Sequence, residues 1–224
     1  MKILVVTTYN NKLLQEYAYR FESTFCWPFD KKVYNEDGDF YTKVPQLKKF
    51  VERNKHRPAP HYAVDGVRFS YKVYAYTDAI LKNESYDGII GIDADSVFYK
   101  PIDVEWLKKH IHRDECMMSY LGRPTNYSEC GFLYFNMRNP YTKPFAREMQ
   151  KMYDEDLIYK EQQQHDSYIW DIVRVRVERN YGVKNHNLGD GKNGHVQART
   201  ILGTVYDHTK GRRKEKGKSP ESRI

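Results

Sequence analysis

Two aspartates, Asp93 and Asp95, are the residues of this 224-residue chain whose spacing points most directly to chemistry. They follow residues 88–92, an apolar and largely β-branched run that is typical of a buried strand. Side chains two positions apart on a strand project to the same side, so the two carboxylates should lie together. A hard divalent cation such as Mg²⁺ or Mn²⁺ would relieve their repulsion. The alternative is a strand-end turn, which aspartate stabilises through its own side chain.

The chain around this pair alternates between patterns typical of strands and of helices, which indicates an α/β layered fold. Ligands of open α/β sheets bind beyond the carboxyl ends of the strands, where this chain carries polar residues. The predicted strands cover residues 2–7, 31–34, 88–92, 115–120, 131–135 and 200–206. The predicted helices cover residues 12–24, 45–54, 66–82, 140–154 and 164–177.

The composition is that of a soluble globular protein, with 40% hydrophobic and 30% charged residues. No apolar run approaches the ~20 residues of a membrane span, so we expect none. The three cysteines form no CxxC pair and no zinc-type spacing, which favours reduced thiols and a cytoplasmic location. We expect a single domain over residues 1–214 and a disordered basic tail over residues 215–224.

The net charge of +7 is concentrated near the carboxy terminus. Residues 208–224 contain seven Lys or Arg and two Glu, a net charge of +5, and the rest of the chain carries only +2. A nucleic-acid-binding protein more often presents a basic face with interleaved aromatic residues. The charge pattern therefore favours a solvated tail or a phosphate contact, and we expect no nucleic-acid partner.

Four segments carry motifs that occur together in one group of enzymes. They are Thr7-Thr8-Tyr9-Asn10, residues 92–96 (Ile-Asp-Ala-Asp-Ser), residues 130–136 (Cys-Gly-Phe-Leu-Tyr-Phe-Asn) and residues 208–214, which match HxxGxxK. In order and approximate spacing they resemble glycosyltransferases of the GT-A fold, and most of all family 8, which contains glycogenin and bacterial lipopolysaccharide galactosyltransferases. The resemblance implies a Rossmann-like three-layer sandwich with a mostly parallel, mixed central sheet.

The resemblance also implies an activity and a set of site residues. The activity is metal-dependent transfer of a sugar, with retention, from a nucleoside-diphosphate sugar (expected to be a UDP-sugar) to a hydroxyl of a carbohydrate or another acceptor. The cation is expected to be Mn²⁺ or Mg²⁺. The implied metal ligands are Asp93, Asp95 and His208. The implied nucleotide or phosphate contacts are Thr7, Thr8, Tyr9, Asn10, Arg68, Lys72, Asp93, Ala94, Gly211 and Lys214.

Several of these roles have an ordinary structural alternative. His208 and Lys214 lie near the end of the chain, where charged residues are usually solvated. Arg68 and Lys72 belong to a predicted helix, where exposed charges are usually solvated as well. Tyr9 could stack on uracil, a contact worth about 1–3 kcal/mol per base in single-strand binders, or it could be a packed loop aromatic.

Three departures from the family pattern concern the sugar and the acceptor. Glu129 stands where the family usually has Asn, and its carboxylate could stabilise oxocarbenium-like charge, attack the anomeric carbon or be a surface acid. Residues 164–167 (Gln-His-Asp-Ser) are the nearest match to the family's Asp-Gln motif. Gln164 and Asp166 are therefore candidates for sugar or acceptor contact, and Asp166 could equally be a helix N-terminal charge. The aromatic residue that often follows the carboxy-terminal lysine is absent.

Two other functions fit parts of the sequence. Residues 93–97 match the DxDx[TV] motif of haloacid-dehalogenase-type phosphatases, in which Asp93 would be the nucleophile. Residues 188–194 begin like the later acidic motif of those enzymes but have Gly where its second Asp belongs. The second alternative is a non-catalytic module that binds nucleic acid through the basic tail, with an affinity that falls steeply with salt.

Overall fold

A six-stranded sheet lies at the centre of the computed structural model, which describes residues 1–221. In spatial order, the strands are β2 (Asp30–Asn35), β1 (Ile3–Tyr9), β3 (Gly88–Ile92), β6 (Glu129–Asn136), β5 (Cys116–Leu121) and β7 (Lys184–Asn187). Five of them run in the same direction, and β6 is antiparallel to its two neighbours. The sheet is therefore mixed and mostly parallel.

Helices connect these strands and cover the sheet. The α-helices are α1 (Asn11–Leu13), α2 (Tyr19–Thr24), α3 (Phe40–Lys43), α4 (Pro45–Asn54), α5 (Gly66–Lys82), α6 (Val104–His110), α7 (Thr142–Asp154), α8 (Asp166–Tyr181), α9 (Val196–Arg199) and α10 (Arg213–Lys216). A π-helical segment, Leu14–Ala18, joins α1 to α2. Short 3₁₀ turns cover Tyr62–Val64, Leu157–Lys160 and Ile201–Thr204.

Alternation along the central strands divides the apolar residues into two cores. Leu4 and Val6 of β1 face a core that contains side chains of α4, α5, α7 and α8. Ile3 and Val5, which point to the opposite face, enter a core formed with α2, α6 and α9. The sheet is thus enclosed between two helical layers, and the predicted three-layer α/β architecture with a mixed, mostly parallel sheet is confirmed.

A separate two-stranded ribbon ties the carboxy-terminal region to the middle of the chain. β4 (Ser96–Phe98) pairs antiparallel with β8 (Tyr206–His208), and Ser96 lies opposite His208. Because β4 follows β3 after three residues, the ribbon brings His208 next to the carboxyl end of a central strand.

The prediction of a strand over residues 200–206 is wrong. Ile201–Thr204 form a 3₁₀ turn, and the strand begins only at Tyr206. Leu202 and Val205 are both buried, and their three-residue spacing suits a 3₁₀ turn rather than the two-residue alternation of a strand.

The remaining predicted strands and helices are confirmed, with ends that shift by at most four residues. The helices over 45–54 and 66–82 begin and end as predicted. β7 was not predicted, because its residues (Lys-Asn-His-Asn) show no alternation of apolar and polar side chains. The other strands and α-helices that were not predicted have seven residues or fewer, too short for a clear period; they are β4, α3, α6, α9 and α10.

The expected tail is in contact with the rest of the chain over part of its length. The backbone N–H of Ser219 donates to Asp207 Oδ2 at 2.6 Å, and Arg213 pairs with Glu221. Residues 222–224 of the expected tail lie outside the described residues. The division into a domain over 1–214 and a tail over 215–224 stays a prediction. Among residues 1–221, no helix combines the length and the apolar character that crossing a membrane requires.

We expect Gly91→Ala to destabilise the fold, because Gly91 of β3 packs directly against the buried ring of Tyr76. A Cβ atom at this position would lie 2.3 Å from a ring carbon, and overpacking of this kind typically costs about 1–3 kcal/mol. Chemical denaturation measures the change in the free energy of unfolding. Gly38→Ala is the matched control, since its Cβ would meet nothing closer than 3.4 Å. Equal stability of the two variants would contradict this packing.

Candidate functional site

A cavity of about 1030 Å³ opens at the edge of the sheet where β1, β2 and β3 end. These three strands are parallel, so their carboxyl ends meet at this edge and bring Asn10, Glu36 and Asp93 together. β6 runs in the opposite direction, and its first residue, Glu129, therefore starts at the same edge. All four side chains line the cavity. The topology of the sheet thus collects polar residues from four separate parts of the chain.

Asp93, Asp95 and His208 converge in this cavity. Nε2 of His208 lies 3.4 Å from Asp93 Oδ2 and 3.2 Å from Asp95 Oδ1. One ligand atom of each residue lies within 4.8 Å of the other two. His208 is held there by the pairing of β4 with β8, and Thr209 reinforces the contact with two hydrogen bonds to the carbonyl oxygen of Asp95, at 2.9 and 2.6 Å.

This donor set fits a hard divalent cation. Two carboxylates and an imidazole offer oxygen and nitrogen ligands of the kind that Mn²⁺ and Mg²⁺ accept. Neighbouring ligands of an octahedral ion with bonds of about 2.1 Å are separated by about 3.0 Å. The separations of 3.4 and 3.2 Å around His208 are close to that value. Asp95 and His208 are buried, whereas the Asp93 side chain is 26% exposed toward the cavity.

The other ring nitrogen of His208 is held by the protein. Its Nδ1 atom lies 3.1 Å from Glu129 Oε1, an arrangement that orients a metal-binding imidazole and fixes its tautomer. Gly131 makes room for the ring, because a Cβ atom there would lie 2.2 Å from His208 Nδ1. The glycine of the third sequence motif is therefore required by the close approach of the imidazole.

Glu129 is enclosed, with only 2% of its surface exposed, so the surface-acid alternative is wrong. Its carboxylate accepts a hydrogen bond from His195 at 2.9 Å and pairs with Lys210 at 2.9 Å and with Arg123 at 3.4 Å. Burial alone would raise the pKa of Glu129, but hydrogen bonds to His195 and His208 and the charge of Lys210 hold it well below its usual range. A carboxylate occupied in this way is poorly placed to attack an anomeric carbon.

A second group of possible metal ligands contains Glu129, His195 and His208, with ligand atoms within 4.8 Å of one another. Positive charges from Lys210 and Arg123 already balance Glu129, so this group is unsuited to a further cation. His195 Nε2 instead lies 3.3 Å from Ser219 Oγ and connects the tail to the site.

Lys72 projects from α5 into the acidic residues of the cavity. Its ammonium lies 2.6 Å from Asp93 Oδ1 and 2.7 Å from Asp166 Oδ2, and it donates to the carbonyl of Cys130 at 2.6 Å. Burial lowers the pKa of Lys72, but Asp166 and Asp93 outweigh this effect and raise it well above its usual value. All three N–H donors of the ammonium are thus occupied. The alternative of an exposed helix charge is wrong for Lys72, and a phosphate would have to displace one of its present partners.

The carboxy-terminal motif places a positive charge on the other side of Asp95. Lys214 Nζ lies 3.0 Å from Asp95 Oδ2 and 4.0 Å from the centre of the Tyr17 ring. Burial raises the pKa of Asp95, but His208 and Lys214 together hold it below its usual range. Gly211 has a φ of +63°, a left-handed conformation that glycine adopts without strain. Lys214 is therefore a partner of the acidic cluster and is not merely solvated.

Side chains at the end of β1 point alternately toward the cavity and away from it, so only some of the residues predicted to contact the nucleotide line the cavity. Thr8 and Asn10 line the cavity, and each donates a hydrogen bond to Glu36 at 3.1 Å. Thr7 is fully buried and does not line the cavity. Arg68, on the exposed side of α5, lines it.

Tyr9 is a packed aromatic residue in this structure. Its hydroxyl donates to Glu22 at 2.6 Å, and its ring belongs to a small apolar cluster that includes Ala94. It does not line the cavity, whereas Ala94 does. The aromatic side chains of Tyr17 and Tyr71 line the cavity in its place.

The start of α8 brings Asp166 to the cavity but leaves Gln164 outside it. Asp166 is the first residue of the helix and is buried against Lys72, so it is both a helix N-terminal charge and a cavity residue. Gln164 is buried before the helix begins, and its amide donates to the carbonyl of Glu161 at 2.8 Å.

Several cavity residues were not predicted from the sequence, among them Glu36, Tyr17 and Lys210. Glu36 lies at the carboxyl end of β2, so the rule that singled out Asp93 also applies to it, although residues 35–39 are more typical of a turn. Tyr17 occupies an apolar position of the helix predicted over 12–24, and that pattern gives no sign of a cavity. Lys210 contacts Glu129 only through the tertiary fold, which no local pattern records.

Three solved glycosyltransferase structures are similar to this chain over most of its length. A glycosyltransferase involved in the glycosylation of the major capsid of PBCV-1 is 10% identical with a TM-score of 0.47, over 97% of this chain and 98% of that chain. Mouse xyloside xylosyltransferase 1 is 10% identical with a TM-score of 0.48, over 84% and 86%. The galactosyltransferase LgtC, in complex with donor and acceptor sugar analogues, is 10% identical with a TM-score of 0.40, over 83% and 73%.

No protein-family model matches the chain, and no curated protein sequence is significantly similar to it. Likenesses at 10% identity and TM-scores below 0.5 establish no activity for this chain. Its relationship to family 8 stays a prediction, and function is inferred from the residues of the cavity.

Glu36 should make stability depend on pH, because burial raises its pKa to about 7 in spite of the hydrogen bonds from Thr8 and Asn10. The folded protein keeps this proton at pH values where the unfolded chain has lost it. The free energy of unfolding should therefore fall as pH rises from 4.5 toward about 7. Glu36→Gln should flatten this part of the profile in urea denaturation, while exposed Glu105→Gln should not. A Glu36→Gln profile identical to that of the wild type would contradict the assignment.

Proposed function

We propose that this chain is a metal-dependent glycosyltransferase of the GT-A fold, resembling family 8, which transfers a sugar with retention from a UDP-sugar to an acceptor hydroxyl. One observation supports the proposal above all others. Asp93, Asp95 and His208, from opposite halves of the chain, bring their ligand atoms within 4.8 Å at the carboxyl ends of the strands. The adjoining cavity of about 1030 Å³ is large enough for a nucleotide sugar.

The metal ligands are supported by neighbouring side chains. When bound, Mn²⁺ or Mg²⁺ would supply positive charge to the two phosphates of the donor. Asp93 is oriented by Lys72, and Asp95 by Lys214. His208 directs Nε2 to the aspartates while Glu129 holds Nδ1, so we assign Glu129 as a positioning residue rather than a nucleophile.

Lys214 and Arg68 are the cationic side chains that we assign to the diphosphate. Lys214 stands beside Asp95, and its charge would offset the negative charge that develops on the departing UDP. Gly211, in its left-handed conformation, lets the backbone turn close to that group. Electrostatic groups positioned in advance contribute about 3–4 kcal/mol each in other enzymes, by stabilising charge in the transition state.

The transfer breaks the bond between the anomeric carbon and a diphosphate oxygen. A new bond joins that carbon to the acceptor oxygen, and the acceptor proton passes to the released diphosphate. Thr8 and Asn10 are assigned to the nucleoside, and Asp166 to hydroxyls of the sugar or the acceptor, since all three line the cavity. Thr7, Tyr9 and Gln164 are left out of the proposal because they do not line it.

Neither alternative function is favoured by the contacts. In a phosphatase of the haloacid-dehalogenase type, a second acidic motif would stand beside Asp93, whereas Asp190 pairs with Arg199 at 2.7 Å and does not line the cavity. A nucleic-acid-binding tail would present free basic residues, but several of them pair with carboxylates. These are Lys210, Arg213 and Lys214.

Asp95→Asn should weaken Mn²⁺-dependent binding of UDP by about 100-fold or more, since even changes behind the metal ligands cost about 10–100-fold. Calorimetric titration of UDP with and without Mn²⁺ measures the effect. Asp39→Asn is the matched control, because Asp39 is exposed, pairs with Lys43 and does not line the cavity. If the wild-type protein bound UDP equally well with and without Mn²⁺, the proposal would fail.

Gly131→Ala should lower Mn²⁺ affinity by about 10–100-fold, because the added methyl group must displace the His208 ring from its place. Electron paramagnetic resonance of free Mn²⁺ gives the affinity directly. Gly91→Ala is the control for general destabilisation, since it crowds the core against Tyr76 without touching His208. Unchanged Mn²⁺ affinity in Gly131→Ala would show that His208 is not a ligand.

A further inference from the structure

A second cavity of about 900 Å³ adjoins the first one. It lies between the loop that contains residues 124–127 and one face of α8. Tyr127 lines both cavities, and its ring centre is 4.2 Å from that of His165, the residue that precedes α8. We call this second cavity the α8 groove. A ligand in the α8 groove could therefore extend into the proposed transfer site without crossing the protein interior.

The α8 groove uses a single face of the helix. Tyr168, Ile172 and Arg176 follow one another at four-residue steps, and Arg179 lies one further turn along. Residues at this spacing project from the same side of a helix. The two ends of the groove therefore differ: Tyr168 lies near the proposed transfer site, and Arg176 and Arg179 lie at the far end.

The charges in the α8 groove do not cancel. Asp171, the acidic residue of the lining, already accepts hydrogen bonds from Ser128 and pairs with Arg174 at 3.1 Å. Within residues 1–221, neither Arg176 nor Arg179 has a carboxylate oxygen within 4.0 Å. Arg176 donates to the sulfur of Met152 at 3.7 Å, and a thioether is only a weak acceptor. Both guanidinium groups therefore remain available for charge-assisted hydrogen bonds to an anionic ligand.

The aromatic residues of the α8 groove suit a carbohydrate. Tyr127 and Tyr168 each offer an apolar ring face and a polar hydroxyl, the combination that matches the two kinds of surface on a sugar ring. Both lie near the cavity end of the groove, where α8 begins with Asp166. An acceptor sugar stacked here would place its hydroxyl groups toward Asp166.

We propose that the α8 groove binds an acceptor saccharide that carries negative charge, as a carboxylate, sulfate or phosphate. Arg176 and Arg179 bind the anionic group, and Tyr127 and Tyr168 hold the neighbouring sugar rings. This inference rests on the proposed function, because it assigns the acceptor class of the same site. The α8 groove requires that the acceptor saccharide carry a negative charge at a distance from its reacting hydroxyl. The donor cavity imposes no such requirement.

The test is a binding experiment with four saccharide probes and three proteins. The probes are a hyaluronan tetrasaccharide, a sulfated heparin tetrasaccharide, a phosphorylated trisaccharide and neutral chitotetraose. The proteins are the wild type, the double variant Arg176→Gln/Arg179→Gln and Arg147→Gln, whose arginine is exposed on α7 outside the groove. Dissociation constants come from calorimetry or saturation-transfer NMR, and melting temperatures verify that each variant is folded. If the double variant does not fold, the single variant Arg179→Gln replaces it, since the side chain of Arg179 is exposed.

We expect at least one anionic probe to bind the wild type and Arg147→Gln about 10-fold more tightly than the double variant, with neutral chitotetraose unaffected. The anionic probe that responds distinguishes a carboxylate, sulfate or phosphate ligand. Absence of anionic binding, or equal binding by all three proteins, would overturn the inference. UDP binding with Mn²⁺ is measured in parallel and should be the same in all three. If UDP binding is absent from all of them while the anionic response persists, the proposed function fails, and the groove is an anionic-saccharide site without an acceptor role.

Discussion

The pairing of β4 with β8 is the interaction on which the candidate site depends. It joins only three residues on each side, yet it brings both ends of the segment from His208 to Lys214 beside Asp95. Aromatic packing compensates for the short pairing, since the rings of Phe98 and Tyr206 stack at 5.8 Å between the two strands. The chemistry of the cavity therefore relies on a ribbon that lies outside the central sheet.

The site tolerates its buried carboxylates because each one has close hydrogen-bonding partners that include a lysine. Lys72 pairs with Asp93, Lys214 pairs with Asp95, and Lys210 and two histidine side chains contact Glu129. Removal of one partner from such a network leaves an uncompensated buried charge, which commonly costs about 3–5 kcal/mol. The same contacts hold the side chains in fixed orientations, so a bound donor would meet groups that need little rearrangement.

Local patterns predicted those features that depend only on neighbouring residues. The helix Gly66–Lys82 and the strand Gly88–Ile92 carry strong apolar patterns. Asp93 and Asp95 lie together as predicted, although they belong to the turn between β3 and β4 and not to a strand. Contacts between distant elements could not be predicted in this way. The burial of Glu129 depends on how α9 and the carboxy-terminal segment pack onto β6, and no local spacing records that packing.

The helix after β1 contains a π-helical turn over Leu14–Ala18. A π turn includes one residue more than an α turn, which offsets the helix faces on its two sides by about 100°. Tyr17 can therefore line the cavity while Phe21, four residues later, enters the core beneath the sheet. A deletion of one residue at this turn would rotate the Tyr17 ring away from Lys214 and reshape the cavity, without any change in the side chains of Asp93, Asp95 and His208.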